Sequence, residues 1–229
     1  MEDPLQLFPR MLNKLYSLWV SRTYPFAFMG GGVLIHHTFK ASRAMAPRMK
    51  LGNSVSLGKD VWLNVIPEAT DEVNIIIDDN CRVGPRTWIS AKNQIHLERD
   101  VCLAPSVLIQ DHGHAYDKID LPIRKQTAME GGRIRIESGC RIGQGVAIVC
   151  SRGELVLGQH CVVMPNSVVI RSAPAYSILG GNPARVIEQF DPSKMSPNAV
   201  YCSTKEMNLK EGSLVSLTSG VPPSIGRSE

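Results

Sequence analysis

The chain has 229 residues and 43% of them are hydrophobic, so it can bury one large core or two small ones and is not disordered throughout. Lys and Arg number 25 against 21 Asp and Glu, and a net charge of +4 is too small a surplus to make nucleic acid a partner. No run of about 18 apolar residues occurs, which argues against a transmembrane helix.

The start, Met1-Glu2-Asp3, lacks the basic region of a secretory signal. The expectation is therefore a cytoplasmic protein whose six cysteines are reduced thiols. None of them forms a CxxC pair, so a zinc ribbon or a thioredoxin-like site has no support.

The first predicted element is an amphipathic helix over residues 4–20, within an N-terminal segment 1–29. Leu5, Phe8, Leu12, Leu15 and Trp19 recur at helical spacing, with Met11 and Leu18 beside them and Pro9 in the first turn. Arg10 and Lys14 lie off that stripe and Arg22 follows it. Two uses remain open. The stripe docks on the main body and shields its end, or it lies on an anionic membrane surface at the inner membrane face. Phe8, Tyr16, Trp19, Tyr24, Phe26 and Phe28 are nearly half of the chain's aromatic residues. The body beyond them must build a thin core of Val, Ile and Leu. Residues 23–50 read as a transition, with a turn at Gly30-Gly31-Gly32 and a strand at Val33-Leu34-Ile35.

From residue 51 a repeat sets the fold. Aliphatic residues recur every six positions: Leu51, Leu57, Leu63; Ile77, Val83, Ile89; Leu97, Leu103, Ile109; Ile136, Ile142, Ile148; Leu157, Val163, Val169. The next position is often small or acidic, as in Gly52, Gly58, Asp78, Gly84 and Gly143. This period fits neither an α-helix nor an ordinary hairpin meander. It fits coils of three short strands, whose recurrent aliphatic side chain points inward. Five such coils stack to a prism about 25 Å tall at about 4.8 Å per step. Cys81, Cys140 and Cys161 then read as small core residues. Residues 188–229 form a polar C-terminal extension, in which Leu214, Val215 and Leu217 form at most one strand.

The hexad pattern over residues 51–187 resembles the hexapeptide-repeat acyltransferases. That resemblance implies an all-β, left-handed parallel β-helix domain over residues 30–187, between the N-terminal helix and a flexible tail. The repeat alone does not give the handedness.

The longest interruption follows Ile109 and reads Gln110-Asp111-His112-Gly113-His114-Ala115-Tyr116-Asp117. Insertions in a solenoid tend to fall on its functional face. A histidine there has the ordinary pKa of a general base, and Asp111 or Asp117 is close enough to fix its tautomer. The family places its catalytic histidine after an aliphatic-small-Pro lead, here Leu103-Ala104-Pro105. On that resemblance His114 is the base and His112 the alternative. The implied reaction is acetyl transfer from acetyl-CoA to a saccharide hydroxyl, with an oxyanion donor near Gly143.

The closing motif Gly181-Asn182-Pro183-Ala184-Arg185 resembles the family's CoA-binding end. It implies cofactor contacts at Gly143, Gln144, Pro165, Arg171 and Arg185. Substrate contacts fall at Asn93 and Asp117, the latter in a loop resembling the envelope-polysaccharide O-acetyltransferases. The chain departs from the family at Arg141, where Trp is frequent, at Met164-Pro165-Asn166-Ser167, and by a two-residue excess around Ser151–Glu154.

The resemblance also implies a homotrimer with sites between neighbours. Two acceptor classes stay open, an envelope saccharide and a xenobiotic or small free sugar. A non-catalytic scaffold competes with both. So does a zinc site of the γ-carbonic-anhydrase kind, but no metal is expected, because His112 and His114 lack a third histidine at matching separation.

Overall fold

The computed structural model describes residues 7–67 and 73–194. The chain is one compact unit through Pro192; of the second unit, 193–229, only the first two residues are described. The strand expected near Leu214 lies outside the described residues.

The body is a coil of short parallel strands that build three sheets of six, eight and six strands. Each coil contributes one strand to each sheet. The inward columns follow the sequence repeat. In the first sheet Leu51 pairs with Ile77, Ile77 with Leu97, Leu97 with Ile136 and Ile136 with Leu157. In the third sheet Leu63, Ile89, Ile109 and Ile148 stack in the same way. These side chains have essentially no exposed surface. Burying a large aliphatic side chain stabilises by about 1.5–3 kcal/mol, and the columns repeat that contribution on every coil. The handedness is that of the left-handed β-helix.

The prism has one more coil than the five in the repeat. Met29 pairs with Leu51, Ile35 with Leu57 and Ala41 with Leu63, so six complete coils rise about 29 Å at about 4.8 Å each. The hexad spacing therefore starts at Met29, before residue 30. Met29 and Ala41 hide it, since neither is Leu, Ile or Val. At the other end Leu179 pairs with Val163, and an antiparallel strand, Ala184–Gln189, closes the second sheet.

The corners explain the polar part of the hexad. Three residues after an inward aliphatic, the backbone turns through positive φ at Ser54, Asp60, Asn80, Arg86, Asp100, Ser106, His160 and Asn166. Gly139 and Gly145 take the same place. Asn, Asp and Gly tolerate this conformation best. Gly143 is required for a different reason. A Cβ there would lie 2.6 Å from the amide nitrogen of Pro165 on the next coil.

The coil is regular at two edges and irregular at the third. Every step from the third sheet back to the first is longer than the hexad, and the longest, after Gln110, leads to the loop containing His114. Across the first sheet, Glu98 ties two coils together. Its carboxylate accepts hydrogen bonds from Arg135 Nε at 2.8 Å, Ser138 Oγ at 3.0 Å and the Ser138 amide at 3.1 Å. The cysteines of the repeat are core residues. Cys81 is buried and its thiol is pushed up to about 12 by that burial.

The helix α1 spans Leu7–Thr23, three residues beyond the expected end. It docks through Asn13, Ser17 and Val20. Ser17 Oγ accepts the Ile35 amide proton at 2.8 Å, and Asn13 Oδ1 accepts from the His37 amide at 3.2 Å. The apolar stripe turns the other way: Leu12, Leu15 and Trp19, with Met11 and Leu18, are all exposed. The expectation that this stripe covers the prism is corrected. The face that docks combines the buried Val20 and the half-buried Tyr16 with polar contacts from Asn13 and Ser17 to a strand edge.

Candidate active site

Asp111 ends the third-sheet strand Leu108–Gln110 and turns inward, with no exposed surface. Its Oδ1 accepts the Lys92 amide proton at 2.7 Å and its Oδ2 the Asn93 amide proton at 2.9 Å. The carboxylate thus closes the corner of the preceding coil. Oδ1 also lies 3.1 Å from His112 Nδ1. The His112 side chain is only 14% exposed. The sequence pointed to Asp111 or Asp117 as the partner of His114; the structure gives Asp111 to His112 instead.

His114 sits two residues further out and is exposed. Its backbone bridges Ala128 in antiparallel fashion, held by Met129 N to Gly113 O at 2.7 Å and Ala115 N to Thr127 O at 3.0 Å. Beyond this neck the loop carries Asp117, which is exposed. Gln126 staples the loop: its amide donates to Lys118 O at 2.8 Å and Leu121 O at 2.9 Å, and accepts from Lys118 N at 3.2 Å. Nothing in a single glutamine among polar neighbours marked this role in the sequence. Tyr116, Ile119 and Ile123 project from the loop into solvent.

Beside this corner lies an open cavity of about 580 Å³, lined by Asn93, Glu130, Arg133 and Glu154 over a floor of glycines. Asn93 joins it to the histidine corner, since its amide meets Asp111 and its side chain donates to Glu130 O at 3.2 Å. Asn93 was legible in the sequence as a site residue; Glu130, Arg133 and Glu154 were not. The two-residue excess around Ser151–Glu154 was the available signal.

The remaining histidines have structural partners. His96 Nε2 lies 2.8 Å from Asp78, His160 stacks on Tyr176 with ring centroids 5.5 Å apart, and His36 and His37 meet Thr38 and Asn13. Among the described residues no three His, Cys, Asp or Glu side chains gather as a metal-binding group.

The residues tied to CoA by resemblance fall mostly elsewhere. Gly143, Gln144 and Pro165 stack at the corner between the second and third sheets. Arg185 lies on the closing strand opposite Gly180, whose own Cβ position faces Met164 beside Pro165. Arg171 alone follows the third sheet, on the histidine side. The third sheet's width, about 13 Å for four residues, therefore separates the histidines from most of the CoA-type positions in one chain. The Gly143 amide donates to Val163 O at 2.8 Å and the Gly145 amide to Pro105 O at 3.1 Å. Both amides are therefore engaged within the coil, so the Gly143 amide itself is not open to an oxyanion.

The comparisons agree with this architecture. No protein-family profile matches the chain. It is 29% identical over 120 residues to WbbJ of Escherichia coli (strain K12), named for lipopolysaccharide biosynthesis O-acetyl transfer, covering 51% of this chain and 61% of that one. It is 30% identical over 167 residues to Rv3034c of Mycobacterium tuberculosis (strain H37Rv), named for acetyl transfer, covering 70% of this chain and 49% of that one. The chain thus spans half to three-fifths of these relatives' lengths. A solved hexapeptide-repeat acetyltransferase from Vibrio cholerae O1 biovar eltor, complexed with acetyl-CoA, superposes with a TM-score of 0.53 at 19% identity, over 78% of this chain and 77% of that one. The chain has the left-handed β-helix fold of the hexapeptide-repeat acyltransferases.

Proposed function

We propose that this protein transfers the acetyl group of acetyl-CoA to a saccharide hydroxyl in envelope polysaccharide or lipopolysaccharide biosynthesis, with His114 as general base. The observation that carries the reading is an exposed histidine in the longest interruption of the coil, two residues beyond His112, whose Nδ1 lies 3.1 Å from the buried Asp111. His112 is mostly buried and tied to Asp111, whereas a base must reach its substrate's proton. His114 takes the proton of the acceptor hydroxyl as its oxygen attacks the thioester carbonyl. The tetrahedral intermediate then expels the CoA thiolate, which recovers a proton from the imidazolium. The cavity at Asn93, Glu130 and Arg133 offers polar groups for sugar hydroxyls beside the base.

In this reading Gly143, Gln144, Pro165, Arg171 and Arg185 hold acetyl-CoA. Because His114 and most of these residues occupy opposite edges of one sheet, a complete site takes the histidine from one copy and the CoA contacts from a neighbour. A homotrimer meets that requirement, and the exposed Tyr116, Ile119 and Ile123 would be covered in it. Replacing His114 and measuring acetyl transfer tests the chemistry; light scattering tests the assembly.

The exposed stripe of α1 favours contact with an anionic membrane. No helix among the described residues is long and apolar enough to cross one. Leu12, Leu15, Leu18 and Trp19 face outward beside Lys14 and Arg22, and the described helix carries no acidic residue. An apolar face flanked by cations suits the headgroup boundary of an acidic leaflet, where a lipid-linked acceptor would be presented.

A further inference from the structure

A second open groove lies on the third sheet, away from the histidines. Lys40 pairs with Trp62, and Trp62 with Trp88, in one outward column. The two indoles meet edge to face with centroids 5.3 Å apart, and Trp88 is 52% exposed. Around them runs an open groove of about 610 Å³ lined by Lys40, Asp60, Trp62, Arg86 and Trp88. The rim is fixed. Asp60 and Arg86 stand at left-handed corners, the Asp60 amide donates to Thr38 Oγ1 at 2.8 Å, and Arg86 Nε donates to Ser106 Oγ at 3.3 Å.

Trp62 and Trp88 are two of the chain's three tryptophans, and their mutual contact leaves Trp88 half exposed beside the groove. A polar rim with donors and an acceptor around an aromatic platform matches a ligand with apolar C–H faces and a fringe of hydroxyls. From these features we infer that Trp62 and Trp88 form a saccharide-binding platform, with Asp60 accepting from sugar hydroxyls and Lys40 and Arg86 donating to them. The proposal deepens the saccharide reading above and rests on it. Trp88 pairs with Leu108 on the coil that ends at Asp111 and His112. One rung and four residues separate Trp88 from His112, about 14 Å at strand spacing. A single sugar ring does not span that gap, so the platform holds a part of a longer glycan remote from the reacting hydroxyl. Remote binding of this kind tightens ground state and transition state alike and appears in KM.

The test is calorimetric titration of the full chain, without acetyl-CoA, with linear oligosaccharides of two to six residues from neutral, amino-sugar and uronic-acid series. Affinity should rise with length in at least one series. Trp88→Ala should weaken the longest ligand about tenfold or more, with Trp88→Phe retaining most of the affinity and the melting temperature unchanged. Equal binding by wild type and Trp88→Ala, or no binding of any series, overturns the proposal. So does a smaller sedimentation coefficient in Trp88→Ala, since the face then joins copies of the chain. Loss of the acetyl-transfer reading with glycan binding intact leaves the platform standing, so the two failures are distinguishable.

Discussion

Asp111 and His112 are neighbours in sequence and are also joined through their side chains, Oδ1 to Nδ1 at 3.1 Å. The same carboxylate holds the Lys92 and Asn93 amides of the coil before it. One buried side chain thus ties the edge of the prism to the histidine segment. Removing it leaves two amides without an acceptor, each costing about 1–3 kcal/mol. Asp111→Ala should therefore lower unfolding stability by about 2–4 kcal/mol in denaturant titrations, and Asp111→Asn by less. A change too small to measure contradicts the anchoring role.

Arg185 supplies a second check, on cofactor binding rather than fold. It is exposed on the closing strand, with Nη1 donating to Ala184 O at 3.0 Å. Saturating CoA should raise the melting temperature of the wild type, because a ligand of the native state stabilises it. Arg185→Ala should melt like wild type without CoA and lose most of the shift with it. An undiminished shift removes Arg185 from the CoA contacts, and no shift in the wild type favours a non-catalytic scaffold.

Glu98 gives a pH dependence. Burial alone would raise its carboxyl, but hydrogen bonds from Arg135 and Ser138 outweigh that and hold it below the usual glutamate value. A carboxyl depressed in the folded state stabilises above its unfolded pKa of about 4.3, and the contribution fades as pH falls through the folded value. Arg135 is half exposed, so the contribution is about 0.5–1 kcal/mol. Glu98→Gln should cost that much at pH 7 and nothing at acid pH. A cost that grows on acidification contradicts the sign.

The outward stripe of α1 can be tested with vesicles. The full chain should sediment with phosphatidylglycerol-containing vesicles and much less with pure phosphatidylcholine. Leu15→Ser with Trp19→Ser should weaken binding about tenfold or more, since both side chains carry apolar area into the interface. Unchanged sedimentation by the double variant excludes membrane contact through this face.

The repeat was legible because the recurrent hexad position from Leu51 to Val169 is Leu, Ile or Val on every coil. The first coil was not, because Met29 and Ala41 fill the same spaces with less conspicuous side chains. The docking of α1 was hidden for a physical reason. The docking face carries Asn13, Ser17 and Val20 beside the stripe, and helical periodicity reports only the stripe. At the site, the sequence marked the Asp-His-Gly-His cluster but not which histidine the aspartate holds. Glu130, Arg133 and Glu154 reach one cavity from separate strands and loops, which no local pattern announces.

The most direct measurement is acetyl transfer from acetyl-CoA by wild type, His114→Ala and His112→Ala, over a panel of nucleotide-linked and lipid-linked sugars. The account predicts turnover in the wild type and a loss of about 10²–10⁴-fold in His114→Ala, with CoA-induced stabilisation intact. His112→Ala should fall less. Wild-type turnover that survives in His114→Ala would contradict the account.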